Sequence, residues 1–238
     1  MTTFKIIRAR ADKRKGGRKA VAARLPVVQG NDALVGVGDD RILAEMTRRI
    51  FCSGFVWRVI EQKWPGFEEA FLGFDVAGLS FQPDEFWERL ASDARIVRHP
   101  QKIKAVRDNA FFVARMAGEH GSFGNFLANW PGDQIGLMEF LAKNGARLGG
   151  RTGQYFLRFV GWDGFVLSGD VVACLRDTGV EISANPTSKK DLRRAQQQLS
   201  AWADESGLPM THVSRICALS IGENYDADTF EAMAGGET

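Results

Sequence analysis

Apolar and polar positions alternate with the period of an α-helix along most of the chain. The members of one stripe lie three or four residues apart, namely Ile42, Met46, Ile50, Ser53, Trp57 and Ile60. This spacing places them on one helix face and predicts an amphipathic helix. Ser53-Gly54 interrupts the stripe and predicts a break or a tight helix–helix turn, and Pro65-Gly66 is expected to end the segment.

Residues that are favoured at the start of a helix predict further helices along the rest of the chain. Pro100 suits the first position of a helix, and Ser122 suits the N-cap of the next one. Either Thr187 or Ser188 is expected to cap a long polar helix, and Thr211 is expected to cap a short last helix.

Strand patterns are weak, and Phe165–Leu167 is the one short extended candidate. We therefore predict an all-α fold, in which a helical domain at residues 31–185 is followed by C-terminal helices at 186–227 that pack on it. Residues 1–30 are predicted to be a basic N-terminal arm, and residues 228–238 an acidic tail.

The first 24 residues are strongly basic. They contain nine Lys and Arg residues and one acid, Asp12, which gives this segment a net charge of about +8. The formal net charge of the whole chain is +2, so the remainder is acidic by about 6. A basic arm attracts a nucleic-acid backbone, because each neutralised phosphate releases counterions. The alternative is a solvated, partly ordered N-terminus.

The composition is that of an ordinary globular protein, with 45% hydrophobic and 25% charged residues. No apolar run approaches the roughly 20 residues that span a bilayer, and no signal-peptide pattern opens the chain. The three cysteines, Cys52, Cys174 and Cys217, are few and odd in number, which is typical of reduced thiols. We expect a cytoplasmic protein.

A glycine-rich hairpin lies between two helical patterns and consists of Leu148, Gly149, Gly150, Arg151, Thr152 and Gly153. Its three glycines allow positive φ angles and close backbone approach. A hairpin ahead of a helix can aim several backbone N–H groups at one phosphate, and Arg151 and Thr152 add a charge and a hydroxyl. The alternative is a tight turn between two helices that binds no ligand.

Short motifs follow one another between Asp39 and Leu175. They are Asp39-Asp40-Arg41, Ser53-Gly54-Phe55-Val56-Trp57, Phe71-Leu72-Gly73-Phe74-Asp75, Ile96-Val97-Arg98-His99 with Lys102-Ile103, Asn109-Ala110, Gly121-Ser122-Phe123, the hairpin with Tyr155, and Asp170-Val171-Val172-Ala173-Cys174. In order and near-family spacing they resemble 3-methyladenine DNA glycosylase I, a family of the helix-hairpin-helix DNA glycosylase superfamily. The resemblance implies a helix-hairpin-helix DNA glycosylase-like helical domain.

The same resemblance implies a monofunctional DNA N-glycosylase of base-excision repair. Such an enzyme flips an alkylated purine of the 3-methyladenine type out of the duplex and hydrolyses its glycosidic bond. The family's base-stacking tryptophan falls on Trp57, and its wedge into the duplex falls on Gly54 and Phe55. The hairpin is implied to grip the DNA backbone. An ordinary core aromatic is the alternative for Trp57.

Arg49 occupies the place of the family's base-reading glutamate, eight positions before Trp57. A cation that faces a cationic base is unfavourable unless it is paired. Glu45 lies four residues earlier and is expected to meet Arg49 on one helix face. Either this pair replaces the glutamate, or the pocket reads a different, neutral base.

Asp170 is the candidate catalytic residue. Wider superfamily members place an aspartate at the helix after the hairpin, where it stabilises an oxocarbenium-like state or activates water, and here that position is Ser168. The alternative role of Asp170 is the N-cap of its own helix. Asp170 and Cys174 are a remnant of the family's zinc ligands, so we predict no metal. Gln154 stands where bifunctional members carry a Schiff-base lysine, which predicts no lyase step.

The predicted partner is double-stranded DNA that contains a damaged base, bound by a monomer without a cofactor or a membrane. Two alternatives stay open because of Arg49 and Ser168. One is a helix-hairpin-helix DNA-binding module without glycosylase activity, and the other is a glycosylase for a different base lesion.

Overall fold

The computed structural model describes residues 3–221, and each regular element in that range is a helix. The all-α prediction is confirmed, and the predicted acidic tail at 228–238 lies outside the described residues. No helix within the described range is long and apolar enough to cross a membrane. In chain order the elements are α1 (Phe4–Lys15), α2 (Arg18–Ala22), a 3-10 helix (Asn31–Gly36), α3 (Asp39–Cys52), α4 (Trp57–Ala70), a 3-10 helix (Leu72–Phe74), α5 (Val76–Ser80), α6 (Asp84–Leu90), α7 (Pro100–His120), α8 (Phe123–Ala128), α9 (Gln134–Asn144), α10 (Gly150–Val160), α11 (Gly169–Asp177), α12 (Lys189–Ser206) and α13 (Met210–Ile221).

The described chain folds into two compact units. The central unit is Gly30–Trp162 and contains α3 to α10 with both 3-10 helices. The terminal unit joins residues 3–29 to residues 163–221, and it contains α1, α2 and α11 to α13. This division differs from the predicted domains, because residues 163–185 group with the C-terminal helices and with the predicted arm.

Helix α3 lies in the middle of the central unit. Its stripe residues Ile42, Met46 and Ile50 are at most 1% exposed, and the helix packs against α4, α5, α7, α8 and α10. Full burial of one such side chain contributes roughly 1.5–3 kcal/mol. The packing therefore fixes the C-terminal end of α3, where the predicted break after Cys52 is confirmed and several predicted site residues lie.

Helix α4 continues through Pro65, so the prediction that Pro65-Gly66 ends the segment was wrong. A proline inside a helix costs about 3 kcal/mol, because it lacks the N–H and crowds the preceding turn. Phe67 and Phe71, two and six residues later, are fully buried, and Trp64 stacks on Phe67 at 5.4 Å between ring centroids. Burial of two large aromatic side chains offsets the loss at Pro65.

Helix α1 carries most of the predicted basic arm and is part of a folded unit. Phe4, Ile7 and Ala11 lie on one face, are at most 2% exposed, and belong to a helix that packs against α13. On another face, Arg10 forms an ion pair with Asp177 of α11. The predicted arm is therefore a packed helix. Its buried apolar positions are few, and the many lysines and arginines between them made the segment look like a solvated arm in the sequence.

Asp163 caps the start of α13, so the prediction of Thr211 as the N-cap was wrong. The two carboxylate oxygens of Asp163 accept hydrogen bonds from the backbone N–H groups of Met210 (3.1 Å) and Thr211 (2.8 Å). The Thr211 hydroxyl instead bonds to the backbone of Gly164, and the Ser214 hydroxyl bonds to that of Val166. The strand candidate at 165–167 is thus held by side chains of a helix and pairs with no strand in the described range.

Candidate functional site

A cavity of about 310 Å³ lies in the central unit at the first turns of α10. This volume is at the lower end of the range of roughly 300–1,000 Å³ found for small-molecule sites. The structure brings five residues predicted from the sequence to its wall, together with Cys52, Ser53 and Tyr155. The lining residues are Arg49, Cys52, Ser53, Gly54, Trp57, Arg151, Thr152 and Tyr155.

Trp57 is the first residue of α4 and is half-buried. Its indole meets the rings of Tyr155 and Phe159 edge to face, at centroid distances of 5.2 and 5.9 Å. These contacts hold the indole in place while part of it lines the cavity. Trp57 thus packs against the core and also leaves part of its ring at the cavity.

Arg49 is almost completely buried, with 1% of its side chain exposed. Its guanidinium lies over the ring of Phe159 at 3.9 Å and over that of Trp57 at 4.9 Å. The expected partner is present, because Nε of Arg49 lies 2.6 Å from Oε1 of Glu45. Nη1 of Arg49 is buried and has no hydrogen-bond partner among residues 3–221. The wall of the cavity therefore contains a buried cation that retains a free donor.

Glu45 lies behind Arg49 and lines a different cavity, of about 250 Å³, with Arg41, Arg48 and Glu68. Burial raises the pKa of Glu45 to about 7, although the neighbouring Arg49 and Arg48 oppose the shift. The carboxylate of Glu45 is therefore not part of the wall of the first cavity. The charged side chains in that wall are both arginines, Arg49 and Arg151.

The turn between α3 and α4 carries the predicted wedge. Gly54 has a φ of +79°, which a residue with a Cβ rarely adopts. The following residues are partly or largely exposed, Phe55 by 39% and Val56 by 68%. Two apolar side chains therefore stand in solvent beside the cavity, and the sequence had indicated the first of them.

Lys102 of α7 holds this turn in place. It is 3% exposed, and its Nζ donates to the carbonyls of Phe51 (3.1 Å) and Ser53 (2.6 Å). The same ammonium lies 4.4 Å from the ring centroid of Phe55. Burial lowers the pKa of Lys102 to about 8. This role of Lys102 had no signal in the sequence, because both of its acceptors are backbone carbonyls.

The glycine-rich hairpin joins α9 to α10, and α10 begins at Gly150 with Gly149 as its N-cap. Leu148 is 1% exposed, and a Cβ on Gly153 would lie 2.3 Å from the Leu148 carbonyl oxygen. The chain therefore passes so close to α10 that only glycine fits at residue 153. Arg151 is exposed and lies in the first turn of α10. The N–H groups of that turn have no hydrogen-bond acceptor within the helix.

Asn109 anchors the hairpin from α7. It is fully buried, its Nδ2 donates to the carbonyl of Ala146 (3.0 Å), and its Oδ1 accepts from the N–H of the same residue (2.8 Å). This paired bond fixes the backbone just before Leu148. The backbone that leads into the hairpin is consequently held in place by a buried side chain.

Asp170 lies in the first turn of α11, is exposed, and belongs to the terminal unit. The N-cap of α11 is Ser168, whose Oγ accepts from the N–H of Val171 (3.3 Å), so the alternative role of Asp170 as N-cap was wrong. Asp170 is not among the residues that line the cavity. In the described part of the chain, no three His, Cys, Asp or Glu side chains are grouped as metal ligands.

Residues 35–144 match the model of the methyladenine glycosylase family. The matched segment runs from the end of the first 3-10 helix to the end of α9, so it contains Arg49, Trp57 and the anchors Lys102 and Asn109. It ends just before the hairpin.

Solved structures of 3-methyladenine DNA glycosylase I are similar to this chain. A variant of the enzyme from Staphylococcus aureus is 23% identical, with a TM-score of 0.47 over 52% of this chain and 78% of that chain. A second structure from the same organism, described as the basis of 3-methyladenine recognition, has the same identity and TM-score and is covered over 77% of its length. A search of curated proteins found no match.

Proposed function

We propose that this chain is a monofunctional DNA N-glycosylase of base-excision repair that removes a damaged purine from duplex DNA. The observation that carries the proposal is the cavity of about 310 Å³, in which Trp57, Gly54, Arg151 and Thr152 come together beside the hairpin. The match of residues 35–144 to the methyladenine glycosylase family supports the same activity. An alkylated purine such as 3-methyladenine, which the description of a solved relative names, is the first base to test.

Each part of the site has a task in this reaction. The N–H groups at the start of α10 and the guanidinium of Arg151 hold phosphate oxygens of the backbone. Phe55 enters the gap that the extruded nucleotide leaves in the duplex, as apolar wedges do in other DNA-bending proteins. The extruded base stacks against Trp57, which offsets the few kcal/mol lost on unstacking.

Hydrolysis of the glycosidic bond replaces the bond between the base nitrogen and C1′ by a bond from C1′ to a water oxygen. An alkylated purine leaves readily, so recognition by the cavity contributes more than acid–base chemistry. We further propose that the chain acts as a monomer in the cytoplasm on double-stranded DNA.

A second candidate function is DNA binding without cleavage of the glycosidic bond. It is favoured by one observation, the position of buried Arg49 in the wall of the cavity, where the guanidinium occupies space against Trp57. In that case the hairpin would still bind the backbone, because its anchors Asn109 and Leu148 do not depend on the cavity.

The test is release of free bases from duplexes that carry methylated purines, 1,N6-ethenoadenine or hypoxanthine, followed by liquid chromatography. We expect release of at least one of these bases, and a reduction of roughly 5- to 150-fold in Trp57→Ala, since a stacked base is worth about 1–3 kcal/mol. The exposed Phe81→Ala variant is the control and should match the wild type. Salt-sensitive binding of all duplexes with release from none would support the second function instead.

A further inference from the structure

The wall of the cavity offers donors and positive charge. Of its eight lining residues, Arg49 and Arg151 are charged, and both are cations. Thr152, Tyr155 and Ser53 add hydroxyl groups, which donate as well as accept. A ligand that fits this wall presents hydrogen-bond acceptors and carries no positive charge of its own.

Two carboxylates lie near Arg49, and one of them is shared with Arg48. Oε1 of Glu45 lies 2.6 Å from Nε, and Oε1 of Glu61 lies 4.0 Å from Nη2. Arg48 also approaches Glu61, at 3.7 Å, and so shares that carboxylate. Two arginines thus face two acids on the inner side, while Arg151 has no ion-pair partner among the described ion pairs.

The free donor of Arg49 is the feature that points to a ligand. Its Nη1 and Nε are buried and lack a hydrogen-bond partner within residues 3–221, and buried guanidinium N–H groups are rarely left without an acceptor. Nε lies against the Glu45 carboxylate as an ion pair, whereas no ion pair of Nη1 is present in that range. The rings of Phe159 and Trp57 fix the plane of the guanidinium. An acceptor atom on a base in the cavity would give Nη1 a partner.

We infer that the cavity selects uncharged damaged purines that present acceptor atoms, in preference to cationic 3-methyladenine, and that Nη1 of Arg49 sets this preference by donating to the base. This selection rests on the proposed glycosylase function. A ring nitrogen or an exocyclic carbonyl supplies the acceptor, as in 1,N6-ethenoadenine or hypoxanthine. A base with a full positive charge is instead repelled by Arg49 and Arg151.

The same donor assists departure of an uncharged base. When the bond between N9 and C1′ breaks, its electron pair leaves with the base, the oxygen of water bonds to C1′, and one proton of that water ends on the base. Negative charge therefore develops on the purine in the transition state. A fixed guanidinium donor stabilises that charge more than it stabilises the intact nucleotide, which lowers the barrier.

The test compares single-turnover release of hypoxanthine, 1,N6-ethenoadenine and 3-methyladenine from otherwise identical duplexes by the full chain. We expect the wild type to release at least one uncharged base tenfold or more faster than 3-methyladenine. Arg49→Glu should reverse this ratio, because it restores a carboxylate that attracts the cation. Arg89→Glu makes the same charge change at an exposed position of α6 and should leave the ratio unchanged.

Arg49→Met removes the charge and keeps a long, unbranched side chain. This variant replaces Arg49→Glu in the test if the second carboxylate beside Glu45 prevents folding. It should abolish the preference for uncharged bases. Faster release of 3-methyladenine than of both uncharged bases by the wild type overturns the inference and leaves the proposed function standing. Binding of every duplex without release of any base overturns the proposed function, and the inference with it.

Discussion

Replacement of Gly153 by alanine tests whether the hairpin is packed as tightly as the structure indicates. The added Cβ would lie 2.3 Å from the carbonyl oxygen of Leu148, whereas an ordinary contact between carbon and oxygen is about 3.3–3.6 Å. The hairpin must therefore move by about 1 Å. Leu148 is buried below it, and Asn109 holds Ala146 by two hydrogen bonds, so the backbone has little room to yield.

The expected loss of stability follows from two opposing effects. Alanine is favoured over glycine inside a helix by about 1 kcal/mol, while overpacking of a tight site costs about 1–3 kcal/mol. We expect Gly153→Ala to lower the free energy of unfolding by up to about 2 kcal/mol. The displaced hairpin should also bind DNA less well, by about tenfold, which corresponds to 1.4 kcal/mol of lost backbone contact.

Gly118→Ala is the matched control. Gly118 lies in α7, and a Cβ there meets no atom within 4 Å, so this change should stabilise the chain by up to about 1 kcal/mol. Urea denaturation measures the stability of both variants, and fluorescence anisotropy with an undamaged duplex measures their affinity for DNA. Equal stabilities and affinities in the two variants would refute the packing that we describe for the hairpin.

The remaining predictions concern the wedge and the buried charges. Lys102→Met removes the donor to two carbonyls at the end of α3, and should lower the free energy of unfolding by about 1–3 kcal/mol in urea. Phe55→Ala should slow base release from a duplex more than from a single strand, whereas Phe81→Ala, at an 87% exposed residue, should change neither rate. Burial raises the pKa of Glu45 from 4.5 to about 7, so the stabilisation from its protonation is complete below pH 4.5 and is lost as the pH rises through 7. Glu45→Gln should therefore flatten the dependence of stability on pH in this window, and an unchanged slope would contradict the buried position of the carboxyl.

Helix boundaries that depend on local signals were predictable from the sequence. Ser122 and Ser188 cap their helices through the backbone N–H three residues later, which is a contact that spacing reveals. The predictions of the N-cap of α13 at Thr211 and of the helix end at Pro65 were wrong, because contacts outside the local sequence decide both. The cap of α13 comes from Asp163, 47 residues before Met210, and the aromatic packing around Phe67 keeps α4 intact past Pro65.

The residues that line the cavity were easier to predict from the sequence than the residues that hold the neighbouring backbone in place. The resemblance described above predicted Trp57 and Arg151 as site residues, and both line the cavity. Lys102 and Asn109 act on backbone groups about 50 and 37 residues away. A backbone carbonyl has no signature in the sequence, since every residue carries one. The roles of these two side chains therefore required coordinates.

In the proposed function, the hairpin contributes to both DNA binding and the choice of base, whereas Arg49 contributes to the choice of base alone. The hairpin is held by Asn109 and Leu148, and neither lines the cavity, but Arg151 and Thr152 of the hairpin do. Arg49 belongs to α3 and contacts Glu45, Trp57 and Phe159 rather than the hairpin. A change at Gly153 should thus slow release of every base, whereas Arg49→Met should alter the ratio between bases and leave the affinity for an undamaged duplex unchanged. If Arg49→Met instead weakened binding of the undamaged duplex as much as Gly153→Ala does, Arg49 would take part in binding the backbone, and its effect could not be assigned to recognition of the base.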